Sequence, residues 1–110
     1  MSDAFQEREK AFERKFQLDQ DQEFKVHSRR DKLFGQWLAG KMGLSGAAAE
    51  SYAKEVVISN FDKPGDDDML AKVRKDLAAK GMAIADKELL GKLHELQAEA
   101  KRQVMDEVKK

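Results

Sequence analysis

From residue 24 onward, the apolar residues of the chain recur with the repeat of an α-helix. Between Phe24 and Gly43, five apolar side chains recur at intervals of three, four and seven residues: Val26, Leu33, Phe34, Trp37 and Leu38. This spacing places them on one helix face, and we expect that face, with the only tryptophan of the chain, to require a core. The glycines at 40 and 43 fit a C-terminal cap. The pattern predicts a first long helix that ends there.

A second helix is predicted to begin after Ser45, a favourable N-cap residue, and to run to about Phe61. Tyr52 and Val56 lie one turn apart and form its inner face, together with the nearby alanines. The helix cannot continue through Lys63-Pro64-Gly65, because proline lacks a backbone N–H and clashes with the preceding turn.

Two further helices complete the pattern. Asp66, Asp67 and Asp68 offer an N-cap and an acidic first turn for a short third helix, which Lys80-Gly81 closes. Its inward residues are Leu70, Val73 and Leu77. Asp86 is the predicted cap of the fourth helix, whose apolar stripe is Leu89, Leu93, Leu96, Ala100, Val104 and Val108. Short connections predict an all-α fold, a compact antiparallel four-helix bundle over residues 24–110.

Composition narrows the classes of function. The 110 residues include 21 basic and 21 acidic side chains, so the formal net charge is zero, and a nucleic-acid partner is not expected. There is no cysteine, which excludes disulfides and thiolate metal sites. No apolar run has the length of a signal sequence or a membrane span. We expect a cytoplasmic protein without membrane insertion.

Residues 1–23 differ from the rest and are predicted to form a mobile, partly disordered N-terminal arm. They are rich in charges of both signs, and Phe5, Phe12 and Phe16 lie close to one line on a helix surface. Burying three phenylalanines stabilises by roughly 5 to 9 kcal/mol, whereas ordering about 20 residues costs on the order of 20 to 40 kcal/mol of backbone entropy. We therefore expect the arm to become a full helix only against a partner, as in helix-in-groove recognition.

Residues with catalytic or ligand-binding chemistry are few. His27 and His94 have no second ligand at metal-binding spacing, and the run of aspartates lacks the glycine and distal glutamate of a calcium loop. An enzyme, a cofactor and a metal are therefore not predicted. Lys25, Arg29 and Arg30, with Lys32, form a basic patch and are candidate anion or partner contacts. Two readings of the bundle stay open beside a regulatory one: a module that binds a nucleotide or another small anion, and a generic adaptor.

The residues also resemble those of a known family, the zeta subunit of alphaproteobacterial F-type ATP synthases. The N-terminal part of the resemblance rests on Phe5, Arg8-Glu9, Ala11-Phe12-Glu13, Lys15-Phe16, Asp19, Phe24-Lys25, Arg29-Arg30, Leu33, Gly35, Trp37, Ala39-Gly40 and Gly43. It continues through Tyr52-Ala53, Val56-Val57, Phe61, Asp68, Val73 and Asp76-Leu77. Between Met82 and Gln97 only the apolar pattern aligns.

The resemblance implies a non-enzymatic inhibitor of ATP hydrolysis that acts through its arm. The inhibitory segment would comprise Phe5, Arg8, Glu9, Phe12, Glu13, Lys15 and Phe16. It would enter, as a helix, a catalytic interface between the α and β subunits of the soluble head and reach the γ stalk. The implied partners are thus the α, β and γ subunits, and the free protein is expected to be a monomer. Through the ATP synthase it would lie peripheral to the inner membrane.

Overall fold

The computed structural model describes residues 20–61 and 65–108, which form four helices and contain no strand. The helices are α1 (Gln20–Lys41), α2 (Gly46–Ser59), α3 (Asp67–Ala79) and α4 (Asp86–Val108). The predicted all-α four-helix bundle is confirmed. Residues 1–19, which hold nearly all of the predicted arm, lie outside the described residues. The last four residues assigned to the arm, 20–23, are the first turn of α1.

Glycines end α1 and α3 as predicted. Gly43 has a φ of +79°, which favours glycine. Its N–H donates to the carbonyl of Gly40 at 3.2 Å, and the N–H of Leu44 donates to the carbonyl of Ala39 at 2.8 Å. This pair of bonds is the Schellman motif, which satisfies carbonyls that the last helical turn leaves free. An equivalent pair ends α3 at Gly81, where φ is +71°.

The predicted N-caps differ from the observed ones. Ser45 and Asp66 precede α2 and α3, but neither side chain makes a capping hydrogen bond. Asp86 is the first residue of α4, and the carbonyl of Ala85 accepts the first backbone bonds of that helix. The carboxylates of both aspartates have other partners: that of Asp86 accepts from Arg74 Nε at 2.8 Å, and that of Asp66 belongs to the polar cluster described below.

The core has two parts, and α1 contributes to both. The main part draws on all four helices and contains Phe34, Leu38, Ala39, Tyr52, Val56, Met69, Leu70, Val73, Leu77, Leu89 and Leu93. A smaller part joins α1 to the C-terminal half of α4 through Val26, Ala100 and Val104, with Leu33 against it. Helix α1 therefore packs along both α2 and α4, and α3 packs on α2.

The positions of Trp37 and Val108 correct the predicted core. Trp37 is half-buried and lies at the edge of the main core, where its ring stacks on that of Phe34 with centroids 6.0 Å apart. The ammonium groups of Lys41 and Lys92 cover the indole at 5.2 and 5.6 Å, as in cation–π contacts. Val108 is 51% exposed, because it ends α4 beyond the last buried layer.

Gly35 permits the close approach of α1 and α2. A Cβ atom at this position would lie 2.7 Å from the Cα of Ala53 and 3.2 Å from the Cβ of Val56. Real Cβ atoms do not come so close to backbone, so only glycine fits without a shift of the helices. Gly35 thus sets the distance between α1 and α2.

Candidate functional site

The basic run predicted on α1 divides between the inside and the outside of the bundle. Facing the α2–α3 connection, five residues form a polar cluster: His27, Arg30, Asp31, Asn60 and Asp66. Three of them are buried, Arg30, Asp31 and Asn60, and the side chains of His27 and Asp66 reach the surface. Arg30 and Asp31 are 8% and 1% exposed. The Nη2 atom of Arg30 donates to Asp31 Oδ1 at 2.9 Å and to Asp66 Oδ1 at 2.6 Å. Its Nε donates to the same oxygen of Asp31 at 3.0 Å. A buried guanidinium is therefore matched by two carboxylates, as burial of a charge requires.

Asn60 connects the three acceptors of the polar cluster. Its Nδ2 atom lies 2.9 Å from Asp31 Oδ2, 3.0 Å from Asp66 Oδ1 and 3.1 Å from His27 Nε2. Asn60 follows α2 directly and Asp66 directly precedes α3, so these bonds tie both ends of the α2–α3 connection to α1. The Asn60 Oδ1 atom is buried and has no partner among the described residues.

The cluster shifts the pKa values of its charged members. Burial raises the pKa of the Asp66 carboxyl, but the hydrogen bonds from Arg30 and Asn60 outweigh burial, and the net pKa lies below its usual value. For Arg30 the effect of burial is the opposite, and it lowers the pKa of the guanidinium. The bonds to Asp66 and Asp31 outweigh burial, so the net pKa of Arg30 lies above its usual value. Both shifts favour the charged forms, so the ion pair is maintained at neutral pH.

Three members of the cluster also have the donor types of a metal site. One atom each of His27, Asp31 and Asp66 lies within 4.8 Å of the others. However, the Nδ2 of Asn60 lies between all three, and the Arg30 guanidinium already brings a positive charge to both carboxylates. The chain's own N–H groups thus bind the atoms that a cation would need. The cluster therefore has a structural role, in which it fixes the α2–α3 connection to α1.

On the outside of α1, exposed aromatic and basic residues lie together. We call this surface the Phe24–Phe61 patch, and it comprises Phe24, Lys25, Ser28, Arg29, Lys32, Val57 and Phe61, with Ile58 three residues before Phe61 in the chain. The rings of Phe24 and Phe61 lie 5.6 Å apart and are 55% and 52% exposed, and Ile58 is 64% exposed. A shallow groove of about 290 Å³ runs between Phe24, the basic residues of α1 and Val57 of α2. Exposed large apolar groups in one place are typical of a binding surface.

Arg29 links the patch to α4. Its Nη1 donates to Gln103 Oε1 at 2.9 Å and its Nη2 to Glu107 Oε1 at 2.6 Å. Lys25 and Lys32 are exposed on the neighbouring turns of the same face. The third turn of α1 is therefore held on one side by α4 and on the other by the polar cluster.

A second polar contact joins α2 to α3. The Tyr52 hydroxyl donates to Asp76 Oδ2 at 2.9 Å, and Lys72 Nζ donates to the same oxygen, also at 2.9 Å. Burial, followed by the bond to Asp76, raises the pKa of Tyr52 well above its usual value. Tyr52 thus stays protonated and acts as a hydrogen-bond donor inside the bundle.

The predicted site residues fall into three groups. Those of the inhibitory segment, Phe5, Arg8, Glu9, Phe12, Glu13, Lys15 and Phe16, lie outside the described residues. Lys25 and Arg29 lie on the Phe24–Phe61 patch, so their role as anion or partner contacts stays a prediction. Arg30 is different, because its guanidinium is buried and bound by carboxylates of the chain itself.

Sequence reasoning missed the polar cluster. Asp31 lies three residues before Phe34 and seven before Leu38, so its position in the helical repeat is that of a core residue. A carboxylate in that position, directly after an arginine, was a usable signal for a buried ion pair. Asn60 and Asp66 gave no such signal, because only the path of the α2–α3 connection brings them to Asp31.

One comparison with known proteins identifies a family. The chain matches the family model for ATPase inhibitor subunit zeta over residues 1–103. No curated protein matches it significantly. Among solved structures it is similar to a protein determined in solution by NMR, with 43% sequence identity and a TM-score of 0.68. The similarity covers 76% of this chain and 95% of that one.

The described helices were also compared with the length and apolar character of a membrane-spanning helix. None of them is both long enough and apolar enough to span a lipid bilayer. The family match covers nearly the whole chain and includes the residues on which the resemblance in sequence rested. The chain belongs to the family of the ATPase inhibitor subunit zeta.

Proposed function

We propose that this chain is a non-catalytic inhibitor subunit that blocks ATP hydrolysis by inserting residues 1–19 as a helix between an α and a β subunit of the ATP synthase head, next to the γ stalk. The observation that carries the proposal is the family match, which begins at residue 1 and so includes the whole inhibitory segment. The bundle stays outside the head, and the protein is held peripheral to the membrane by the synthase.

The mechanism is that of a wedge. A helix of 19 residues is about 28 Å long at 1.5 Å per residue, enough to extend from the surface of a large complex toward an internal shaft. Phe5, Phe12 and Phe16 would provide the apolar burial, and the charged residues between them would fix the register. Hydrolysis requires the catalytic interfaces to close one after another, and a helix packed in one cleft prevents that interface from closing.

The feature of the structure that supports the wedge is helix α1, which follows the inhibitory segment in the chain. Helix α1 begins at Gln20, directly after the inhibitory segment. Its second and third turns are held to α4 by Val26 and Arg29, and to the α2–α3 connection by Arg30 and Asp31. An inserted helix can resist closure of the interface only if it is attached to a rigid bundle, because a helix on a flexible attachment could be pushed out of the cleft.

The test compares ATP hydrolysis by the isolated head of the same organism in the presence of the full chain and of the chain lacking residues 1–19. We expect inhibition by the full chain and none by the shortened one. Thermal unfolding of both proteins is the control, and it should give similar midpoints because the shortened chain keeps every core residue of the described part of the chain. Inhibition by the shortened chain would contradict the arm mechanism.

A further inference from the structure

The Phe24–Phe61 patch has no role in the fold or in the wedge as described so far. Phe24, Ile58 and Phe61 are each more than half exposed, although large apolar side chains are usually covered when a protein can cover them. The three charged residues that line the groove in the described part of the chain, Lys25, Arg29 and Lys32, are all basic. Arg29 is paired with Glu107, but Lys25 and Lys32 are exposed and leave the border of this apolar groove positively charged. Such a surface favours a partner of the opposite charge.

The place of the patch in the bundle indicates which partner it meets. Phe24 lies four residues after the start of α1, which is about 6 Å along the helix axis. The patch is therefore at the end of the bundle from which the inhibitory segment leaves. Only residues 20–23 of α1 separate the inhibitory segment from Phe24 of the patch.

We infer that the Phe24–Phe61 patch is a second contact of this chain with the ATP synthase head, and that it docks on an acidic surface with exposed apolar groups beside the cleft that the arm enters. This inference rests on the proposed function and deepens it. The apolar residues of the patch bury area against the partner, while Lys25 and Lys32 steer the approach. Arg29, held by Gln103 and Glu107, presents a fixed edge.

Two other occupants fit less well. A second copy of the chain would bring the lysines of one patch against those of the other, and like charges at an interface are repulsive. The chain's own residues 1–19 carry basic and acidic side chains in nearly equal number, so they offer the basic rim no consistent complement. An acidic partner complements the exposed ammonium groups of Lys25 and Lys32, whereas Arg29 already pairs with Glu107.

The experiment measures inhibition of ATP hydrolysis by the isolated head as a function of the concentration of full-length variants. Phe24→Ser with Phe61→Ser removes the two exposed rings of the patch, and Lys25→Glu with Lys32→Glu reverses the charge of its two exposed lysines. Leu90→Ser is the matched control, because Leu90 is 51% exposed at the opposite end of the bundle, where Glu88 approaches Lys41 at 4.0 Å. All variants are first checked for an unfolding midpoint like that of the unmodified chain.

We expect both double variants to raise the half-inhibitory concentration about 10- to 100-fold while leaving the inhibition at saturation complete. The charge-reversed variant should also lose the salt dependence of the association rate. Leu90→Ser should behave like the unmodified chain.

Three results would overturn the inference. Patch variants that inhibit at the same concentration as the unmodified chain would show that the patch makes no contact with the head. Variants that inhibit more strongly would show that the patch instead holds the arm back in the free protein, and a dimer of the unmodified chain in sedimentation that the variants abolish would assign the patch to a second copy. In each of these cases the unmodified chain still inhibits and the proposed function stands, whereas a full chain that neither binds nor inhibits the head would remove both.

Discussion

The two faces of α1 between residues 24 and 32 show how differently the same kinds of side chain are used. On the inner face, Arg30 and Asp31 are almost fully buried and are bound by each other, by Asn60 and by Asp66. On the outer face, Lys25 and Lys32 are exposed beside two exposed phenylalanine rings. In the sequence these residues form one basic run. Burial thus separates charges that hold the fold from charges that are available to a partner.

The largest expected loss of stability comes from replacing Asp31 on the inner face. Asp31→Ala leaves the Arg30 guanidinium buried with half of its acceptors lost, and breaking a buried ion pair from one side costs about 3 to 5 kcal/mol. The free energy of unfolding, measured by urea denaturation, should fall by this amount. Lys32→Ala, one residue along and exposed, should change it by less than about 0.5 kcal/mol. Equal losses in the two variants would contradict the assignment of the two faces.

A smaller effect is expected where α1 and α2 come closest. Gly35→Ala places a methyl group 2.7 Å from the Ala53 backbone, and overpacking of this kind costs about 1 to 3 kcal/mol. Gly40→Ala is the matched control, because no atom lies within 4 Å of the added Cβ and alanine favours the helix by up to about 1 kcal/mol. Differential scanning calorimetry should show a lower melting temperature for the first variant and an equal or higher one for the second. If both variants melted alike, the close approach at Gly35 would be wrong.

The smallest expected effect concerns acid. The pKa of Asp66 is lower in the folded chain than its ordinary value of 3.8, so the folded state binds its proton less readily than the unfolded state. The stability that Asp66 contributes is therefore complete above that ordinary value and is lost as the pH falls through the lowered one. Urea denaturation between pH 6 and pH 2 should show this loss, and Asp66→Asn should have a flatter profile over the same range. A profile unchanged by the substitution would mean that Asp66 does not couple to folding.

Most of the fold follows from the sequence, because it depends on local signals. The spacing of Val26, Phe34 and Leu38 predicted α1, and Gly43 and Gly81 predicted where two helices end, since a backbone with positive φ favours glycine. The apolar repeat also placed Leu89, Leu93 and Val104 correctly in the core. These features require knowledge of only one helical turn at a time.

What the sequence did not show depends on contacts between distant residues. Asp66 has the sequence of a helix cap, but its carboxylate turns to Arg30, 36 residues earlier, because a buried guanidinium is a stronger partner than a backbone N–H that water can also satisfy. Arg30 was grouped with Lys25 and Arg29 as a candidate contact for the same reason: a linear pattern does not reveal which of two adjacent arginines faces inward. The patch was missed in part, since Phe24 and Phe61 become neighbours only when α2 packs on α1.

The account centres on an arm that inhibits and a bundle that supports it, and one measurement tests this division most directly. ATP hydrolysis by the isolated head is recorded at a saturating concentration of the full chain and of the variant Phe12→Ala with Phe16→Ala, alongside the unfolding midpoint of each protein. The double variant should lose most of the inhibition and keep its midpoint, because we propose that these rings contact the ATP synthase head. A variant that inhibits fully, or one whose midpoint falls together with its inhibition, would contradict it.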